Sequence, residues 1–372
     1  MEFSVKRSDL LDELEMTQGV VERKTTIPIL SNLLVEAKGS RLTITATDLE
    51  LSIRTSCDAK VKKEGAGTIP AKKLFELLRL LPEDNGEIKF KLQENHWVQI
   101  INDRRSYKLV GMSKDNFPSL PAFPHAMVKI PASLLAAAIA KTTFAISLEE
   151  SRYTLNGALL VLKPGSLAMV ATDGHRLAMV ETDHKFEGFT AETRVLVPKK
   201  AMTEIQRLVG KAGDDAQVEF AQDESHLFFQ VGRRLLTSRK LTGQFPNYEA
   251  VLPRDANKTL QLERLELQNA LRRVSQLADQ RSHAVRFMLS NEGLELSSSS
   301  PEYGEAKEVI EKEYKGDTIS IGFNAQYLLD FLAAAADGPI SFELKDEQSA
   351  GQLRPTGDES TRYRYVVMPM RI

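Results

Sequence analysis

The chain has 372 residues, of which 42% are hydrophobic and 27% charged, and its net charge is −2. That length allows two or three domains of ordinary size, and no apolar run approaches the roughly 18 residues of a membrane span. Near-neutral charge argues against a uniformly basic nucleic-acid binder, although it averages over any local surface. A single cysteine, Cys57, excludes an internal disulfide and a cysteine-based metal cluster within one chain, and it reads as a small residue in a strand.

Taken in chain order, the first segment carries Glu2, Lys6, Arg7 and Asp9 where a signal peptide needs an apolar run, so the expected address is cytoplasmic. Val5, Leu10 and Leu14 read as one face of a helix. Residues 42–54 (LTITATDLELSIR) alternate as strands do, and Ile69-Pro70 then opens a second helix with Leu74, Leu77 and Leu81. The same order returns. Ile130, Leu135 and Ile139 repeat the first helix at an offset of 125, and Leu262, Leu267 and Leu271 repeat it again after a further 132. Met202, Ile205 and Val209 after Val197-Pro198 repeat the second helix at an offset of 128, and Tyr327, Asp330 and Ala334 follow 125 residues later.

Solenoid and propeller units repeat every 20 to 50 residues or so, and a period of one third of this chain instead marks whole domains in triplicate. Helix, strands, helix, strands within each third predicts α+β domains with extensive antiparallel sheet. Proline-rich joints at Phe117-Pro118-Ser119-Leu120-Pro121 and from Phe245-Pro246 to Leu252-Pro253 mark the seams. The expected domains are 1–121, 127–251 and 252–372. Similar domains carry similar ends, and a heterologous end-to-start contact between chains can close into a ring.

Three groups of residues invite a functional reading. Lys72, Lys73 and Arg79, repeated as Lys199, Lys200 and Arg207, fit either a solvated face or a basic inner surface, while Asn324, Gln326 and Asp330 of the third copy lack the charge. Asp173-Gly174-His175-Arg176 has the residue types of a metal-dependent phosphoesterase, but no other histidine shows ligand spacing, and Asp-Gly between apolar runs reads as a hairpin turn. The terminal Tyr365 to Ile372 (YVVMPMRI) is apolar, which suits a strand tucked into the last domain or an adaptable pocket wall rich in methionine. A scaffold that binds only proteins is a further reading of the triplication.

Several motifs together carry a resemblance. Thr26 to Leu34 (TIPILSNLL), Tyr153-Thr154-Leu155-Asn156-Gly157, Ala171 to Ala178 (ATDGHRLA), Phe245 to Pro253 (FPNYEAVLP) and the terminal YVVMPMRI occur in this order from end to end. They resemble the bacterial DNA polymerase sliding clamp, the β subunit of the replicative polymerase.

The resemblance implies three tandem DNA-clamp domains, each of two helices and antiparallel sheets, closing as a head-to-tail homodimer into a six-domain ring. It implies a processivity factor without catalytic activity, cofactor or metal. Double-stranded DNA would pass through the ring without sequence preference. An ATP-driven clamp loader would open it, and DNA polymerases and repair proteins would dock through short peptides. It places DNA contacts at Lys24, Lys73, Arg152, Tyr153, Lys200 and Arg207. The implied peptide cleft comprises Leu155, Thr172, Gly174, His175, Arg176, Leu177, Pro246, Val251, Val366, Met368, Pro369, Met370 and Arg371. Tyr107, Leu109 and Leu277 fall at the implied subunit interface. Glu149 and Thr154 depart from the family pattern beside Tyr153, and the polar, glycine-rich stretch 349–361 borders the cleft.

Overall fold

The computed structural model describes residues 1–22, 26–82, 86–213, 215–357 and 360–371. Six α-helices occur among them: α1 (Arg7–Thr17), α2 (Ala71–Leu80), α3 (Ala132–Ala140), α4 (Lys199–Gly210), α5 (Arg264–Val274) and α6 (Ala325–Ala334). None among the described residues is long and apolar enough to cross a membrane. Each follows directly on a short strand, a connection the apolar spacing alone obscured. Val5, Ile130 and Leu262 belong to the strands Glu2–Lys6, Val128–Pro131 and Lys258–Glu263, and only the later apolar residues of each triplet lie on the helix. A buried strand end and the first helical turn place side chains on the same core, so a period-2 segment can be read as the start of a 3.6 pattern.

Helices α2 and α4 show why these segments fold as they do. In α2, Leu74 and Leu78 are buried one turn apart while Lys72 and Lys73 stay exposed, and proline at the preceding position presets the backbone. In α4, Ala201, Met202, Ile205, Leu208 and Val209 form the buried stripe. Helix α6 is capped instead by Asn324, whose Oδ1 accepts from the backbone N–H of Gln326 (2.9 Å) and Tyr327 (3.3 Å), a device contributing about 1 kcal/mol.

Two compact units divide the chain, residues 1–133 with 200–240 and residues 134–199 with 241–372. They do not follow the sequence thirds, because hydrogen-bonded sheets run across the seams. In the first unit an eight-stranded antiparallel sheet contains Gly65–Pro70, Asn32–Lys38, Arg41–Thr47 and Leu51–Asp58 from the first third, then Arg234–Arg239, His226–Val231, Gln217–Gln222 and Val128–Pro131 from the second. The join pairs Ile53 with Leu236 and Ser52 with Thr237. A five-stranded sheet completes this unit and ends at Arg105–Val110.

The second unit repeats the plan. Its eight-stranded sheet runs Thr193–Pro198, Gly157–Lys163, Ser166–Thr172, Arg176–Asp183, Thr361–Val367, Gly351–Pro355, Pro339–Leu344 and Lys258–Glu263. Ala178 pairs with Tyr365 and Leu177 with Val366 across the join. A four-stranded sheet ends at Gly304–Ile310. The polar stretch near residue 350 is thus partly a strand, and the serine run ends the strand Gly293–Ser300. Cys57 is buried in Leu51–Asp58, where burial pushes its thiol pKa up to about 12. It is an inert packing residue at neutral pH.

Candidate functional site

On one face of the second unit's sheet, alternate residues of neighbouring strands form a continuous apolar floor. Leu159 and Val161, Ala168 and Val170, Leu177, Leu196 and Val366 pack with Phe245 and Tyr248 from the joint that follows, and Leu155, Met179, Leu241, Leu252 and Ala350 border them. The period of two puts all seven strand residues on the same side.

The sheet registers show how specific this floor is. The hairpin Asn32–Lys38/Arg41–Thr47 closes on Lys38 opposite Arg41, as Gly157–Lys163/Ser166–Thr172 closes on Lys163 opposite Ser166, and Arg41 faces Asp58 as Ser166 faces Asp183. Matching the two joins strand for strand places Leu34, Glu36, Thr43, Thr45, Ser52, Thr68 and Thr237 where the second has Leu159, Val161, Ala168, Val170, Leu177, Leu196 and Val366. Only Leu34 is apolar in that set. One join therefore carries an apolar face at these positions and the other a polar one.

The rim of the floor is fixed by the turn at residues 173–175. Asp173 accepts from the backbone N–H groups of His175 (2.9 Å) and Arg176 (3.0 Å), and Thr172 Oγ1 accepts from Gly174 N–H (3.1 Å) and donates to the Arg176 carbonyl (2.6 Å). Gly174 holds a φ of +90°, which a side chain tolerates poorly. His175 is exposed, 6.5 Å from the Tyr327 ring. Among the described residues no group of three or more His, Cys, Asp or Glu side chains could hold a metal ion, and Asp173 is occupied in shaping this turn.

Arg176 is held by several partners at the edge of the floor. Its neighbour Leu177 enters the floor, so Arg176 falls on the opposite, helix-facing side. There it donates to Asp173 Oδ2 (3.0 Å), Asp330 Oδ2 (2.6 Å) and the Phe144 carbonyl (2.7 Å), and lies 4.4 Å from the Tyr327 ring centroid. Burial opposes its charge, but Tyr365, Asp330 and Asp173 outweigh that effect and hold its pKa above the ordinary value. These contacts fix the strand that carries Leu177 against helix α6.

The terminal segment combines both sequence readings. Met368 N–H donates to the His175 carbonyl and Met370 N–H to that of Gly322, each at 2.8 Å, so the backbone is tied down. The Met368 side chain nevertheless stays 42% exposed beside the floor. Pro246, Val251 and Arg371 are also exposed, while Pro369 and Met370 are half-buried. Residue 372 lies outside the described residues. Alternation in Gly157–Lys163 and Ser166–Thr172 was the available signal for the floor residues that sequence reasoning missed; Phe245 and Tyr248 lay within a motif already noted.

The basic candidates are distributed differently. Lys24 lies outside the described residues. Lys72 and Lys73 both approach Glu76 (3.8 and 3.4 Å) and remain largely exposed. Lys200 pairs with Asp48, and Arg207 bonds to Glu204 (3.1 Å) and the Glu15 carbonyl (3.3 Å). Burial raises the Glu204 pKa, and Arg207 only partly offsets it. Arg152 bonds to Glu149 (2.8 Å) and to the Asp173 carbonyl (2.8 Å), linking it to the cleft turn, while Tyr153 is 70% exposed. The exposed pairs among these, Lys72 and Lys73 with Glu76 and Arg152 with Glu149, contribute about 0–1 kcal/mol each, whereas Asp48 and Glu204 are themselves shielded from solvent. Tyr107 and Leu109 are half-buried on the edge strand Arg105–Val110, and Leu277 is half-buried after α5.

Comparison with known proteins agrees with this architecture. Family models of the DNA polymerase III beta subunit match the chain with its N-terminal domain over residues 1–121, its central domain over 129–247 and its C-terminal domain over 249–371. The beta sliding clamp of Pseudomonas aeruginosa is 34% identical, and that of Caulobacter vibrioides 35%, each alignment covering the whole of both chains. Among solved structures, the P. aeruginosa DNA polymerase III subunit beta superposes with a TM-score of 0.94 at 34% identity. A Bartonella birtlesii sliding clamp bound to griselimycin also gives 0.94, at 33% identity, and both structures match over the full length of each chain. The chain therefore belongs to the DNA polymerase III beta subunit family, the beta sliding clamps.

Proposed function

We propose that this chain encircles duplex DNA as a head-to-tail homodimer of six domains and tethers DNA polymerases and repair proteins through the apolar cleft. The family is a non-catalytic processivity factor that binds DNA and polymerase partners. The three domains are taken as 1–121, 127–251 and 252–372, the compartment as the cytoplasm, and the ring is opened by an ATP-driven clamp loader.

The observation that carries this reading is the cleft's restriction to one of two equivalent joins. A general scaffold has no reason to keep six of seven matching positions polar in one copy and apolar in the other. An extended peptide with leucine and phenylalanine anchors gains about 1.5–3 kcal/mol per fully buried side chain, offset by ordering costs. Micromolar, exchangeable binding follows, which lets partners take turns. The proposed contacts are Leu155, Thr172, Gly174, His175, Arg176, Leu177, Pro246, Val251, Val366, Met368, Pro369, Met370 and Arg371.

Ring closure is supported by the same repeat logic. Arg105–Val110 and Gly304–Ile310 end their sheets, and each is the third strand of its hairpin set, like the strands that meet in the two internal joins. Extending the internal register to two chains puts Tyr107 opposite the partner's Ala306 and Lys108 opposite its Glu305. Tyr107 thereby takes the place of Leu236 and Tyr365 at the internal joins, both buried. The DNA surface is assigned to Lys24, Lys73, Arg152, Tyr153, Lys200 and Arg207. Phosphate contacts of this kind are sequence-blind and salt-sensitive, which suits sliding.

A primer-extension assay with a matched polymerase and loader tests the tethering role. The protein should lengthen products made in a single binding event, and Leu177→Asp with Val366→Asp should abolish that gain while the dimer persists. Undiminished processivity in the double variant would refute the cleft assignment.

A further inference from the structure

The face of the sheet that carries the apolar floor does not end at Val366. Two residues earlier on the same strand stands Arg364, about 6.6 Å along the same face and directly opposite Met179, which borders the floor. Arg364 opens onto a concavity of about 740 Å³ whose walls include Pro253, Gln352, Arg354, Arg362 and the carboxylate of Glu343. Pro253 in turn follows Leu252, another residue bordering the floor. The hollow therefore adjoins the floor along the strand Thr361–Val367 and at Leu252-Pro253.

The three arginines differ in how their charge is met. Arg354 is paired with Glu343, and Arg362 with Glu181 (3.3 Å) and Asp183 (2.8 Å). Arg364 donates Nε to Gln352 Oε1 (2.7 Å) and Nη2 to the Pro253 carbonyl (3.0 Å), both neutral acceptors. Among the described residues no carboxylate pairs with it. Two of its five N–H groups are thus engaged, and the charge it feels is that of Glu343, which lines the same hollow and accepts from Gln352 (2.6 Å) without bonding Arg364 directly. Burial lowers its pKa, and the neighbouring positive charge of Arg354 adds to the lowering while Glu343 opposes it.

We propose that Arg364, with Arg354 beside it, receives a carboxylate side chain of the peptide that anchors in the cleft. The inference rests on the peptide-binding reading of the cleft. An extended chain advances about 3.3–3.6 Å per residue, so the acidic residue falls two or three positions outside the apolar anchors. A guanidinium already oriented by Gln352 and Pro253 loses little freedom on accepting a carboxylate, and a bidentate pair at the edge of an apolar floor is better shielded than a surface ion pair. Partners of this clamp are thereby selected for acidic residues flanking the anchors.

The test uses short fluorescein-labelled peptides with leucine and phenylalanine anchors, flanked by Glu or by Gln, titrated against the full-length protein by anisotropy. The Glu peptide should bind about five- to tenfold more tightly at low salt, with the advantage shrinking as salt rises. In Arg364→Met the Gln peptide should keep its affinity while the Glu peptide loses its advantage, and Arg364→Lys should retain part of it. Equal binding of both peptides to the wild-type protein overturns this inference and leaves the cleft reading intact. Failure of either peptide to bind, or binding that survives replacement of the anchors by alanine, overturns the cleft reading and this inference with it.

Discussion

Arg176 Nη1 donates to Asp330 Oδ2 across 2.6 Å, and that bond fastens the strand carrying Leu177 to helix α6. The side chains are 10% and 27% exposed, so the pair is shielded but not dry. Asp330→Ala leaves Arg176 only Asp173 as a charged partner. It should destabilise the protein by roughly 1–2 kcal/mol, read as a lower urea midpoint at unchanged slope. An unmoved midpoint would mean that the bond does not brace the cleft.

The turn before each join carries the same motif in two conditions of ease. Gly174 has a φ of +90°, and Leu49, its counterpart in the first copy, has +79° with the side chain 45% exposed. A β-carbon in this region costs about 1–2 kcal/mol, part of which glycine returns as unfolded-state entropy. Leu49→Gly should therefore stabilise by roughly 0.5–1 kcal/mol in equilibrium denaturation. A loss of stability would show that the exposed leucine makes contacts worth more than its strain.

Removing Met368 to Ile372 takes away the two backbone bonds to His175 and Gly322 and the exposed methionine. Peptide binding should be lost, while sedimentation should still report a dimer, because the edge strands proposed to meet lie elsewhere. Monomers in that variant would mean that the tail is structural first.

Lys108 and Glu305 supply a test of register. Lys108→Glu should weaken the dimer by placing like charges opposite one another, Glu305→Lys should do the same, and the double exchange should recover most of the loss. Additive effects in the double variant would contradict the pairing extended from the internal joins.

Glu343 offers a pH signature. Burial pushes its carboxyl up, but hydrogen bonds from Arg354, Gln352 and Ser341 prevail and hold it below the ordinary 4.5. A depressed carboxylate stabilises the fold above the unfolded-state value and loses that contribution as pH falls through the folded one. Stability should decline below pH 4.5, and Glu343→Gln should remove part of that decline. Parallel pH profiles for the two proteins would show that this carboxylate contributes nothing.

Much of this was legible in the sequence because it is local. The triplication, the prolines before the helices and the Asp-Gly turn depend on spacing alone. What stayed hidden depends on registers between strands far apart in the chain. Nothing in the order of residues shows that Leu177 faces Val366, and that pairing is what joins the apolar positions of two distant segments into one floor. The seam between the thirds likewise reads as a boundary in sequence, yet there Leu236 lies opposite Ile53 and Thr237 opposite Ser52 within one sheet. The floor residues Phe245 and Tyr248 stood in a recognised motif, but their burial against Leu159 and Val161 required the fold.

The central claim is topological, so the most direct measurement is retention on DNA with and without ends. Labelled protein is loaded onto nicked circular DNA by a matched clamp loader and ATP, with a control clamp confirming the loader, and followed before and after linearisation. The account predicts stable retention on the circle and rapid loss once the DNA is cut. Equal retention on both forms would mean ordinary contact binding, and retention on neither would leave a protein scaffold that never encircles DNA.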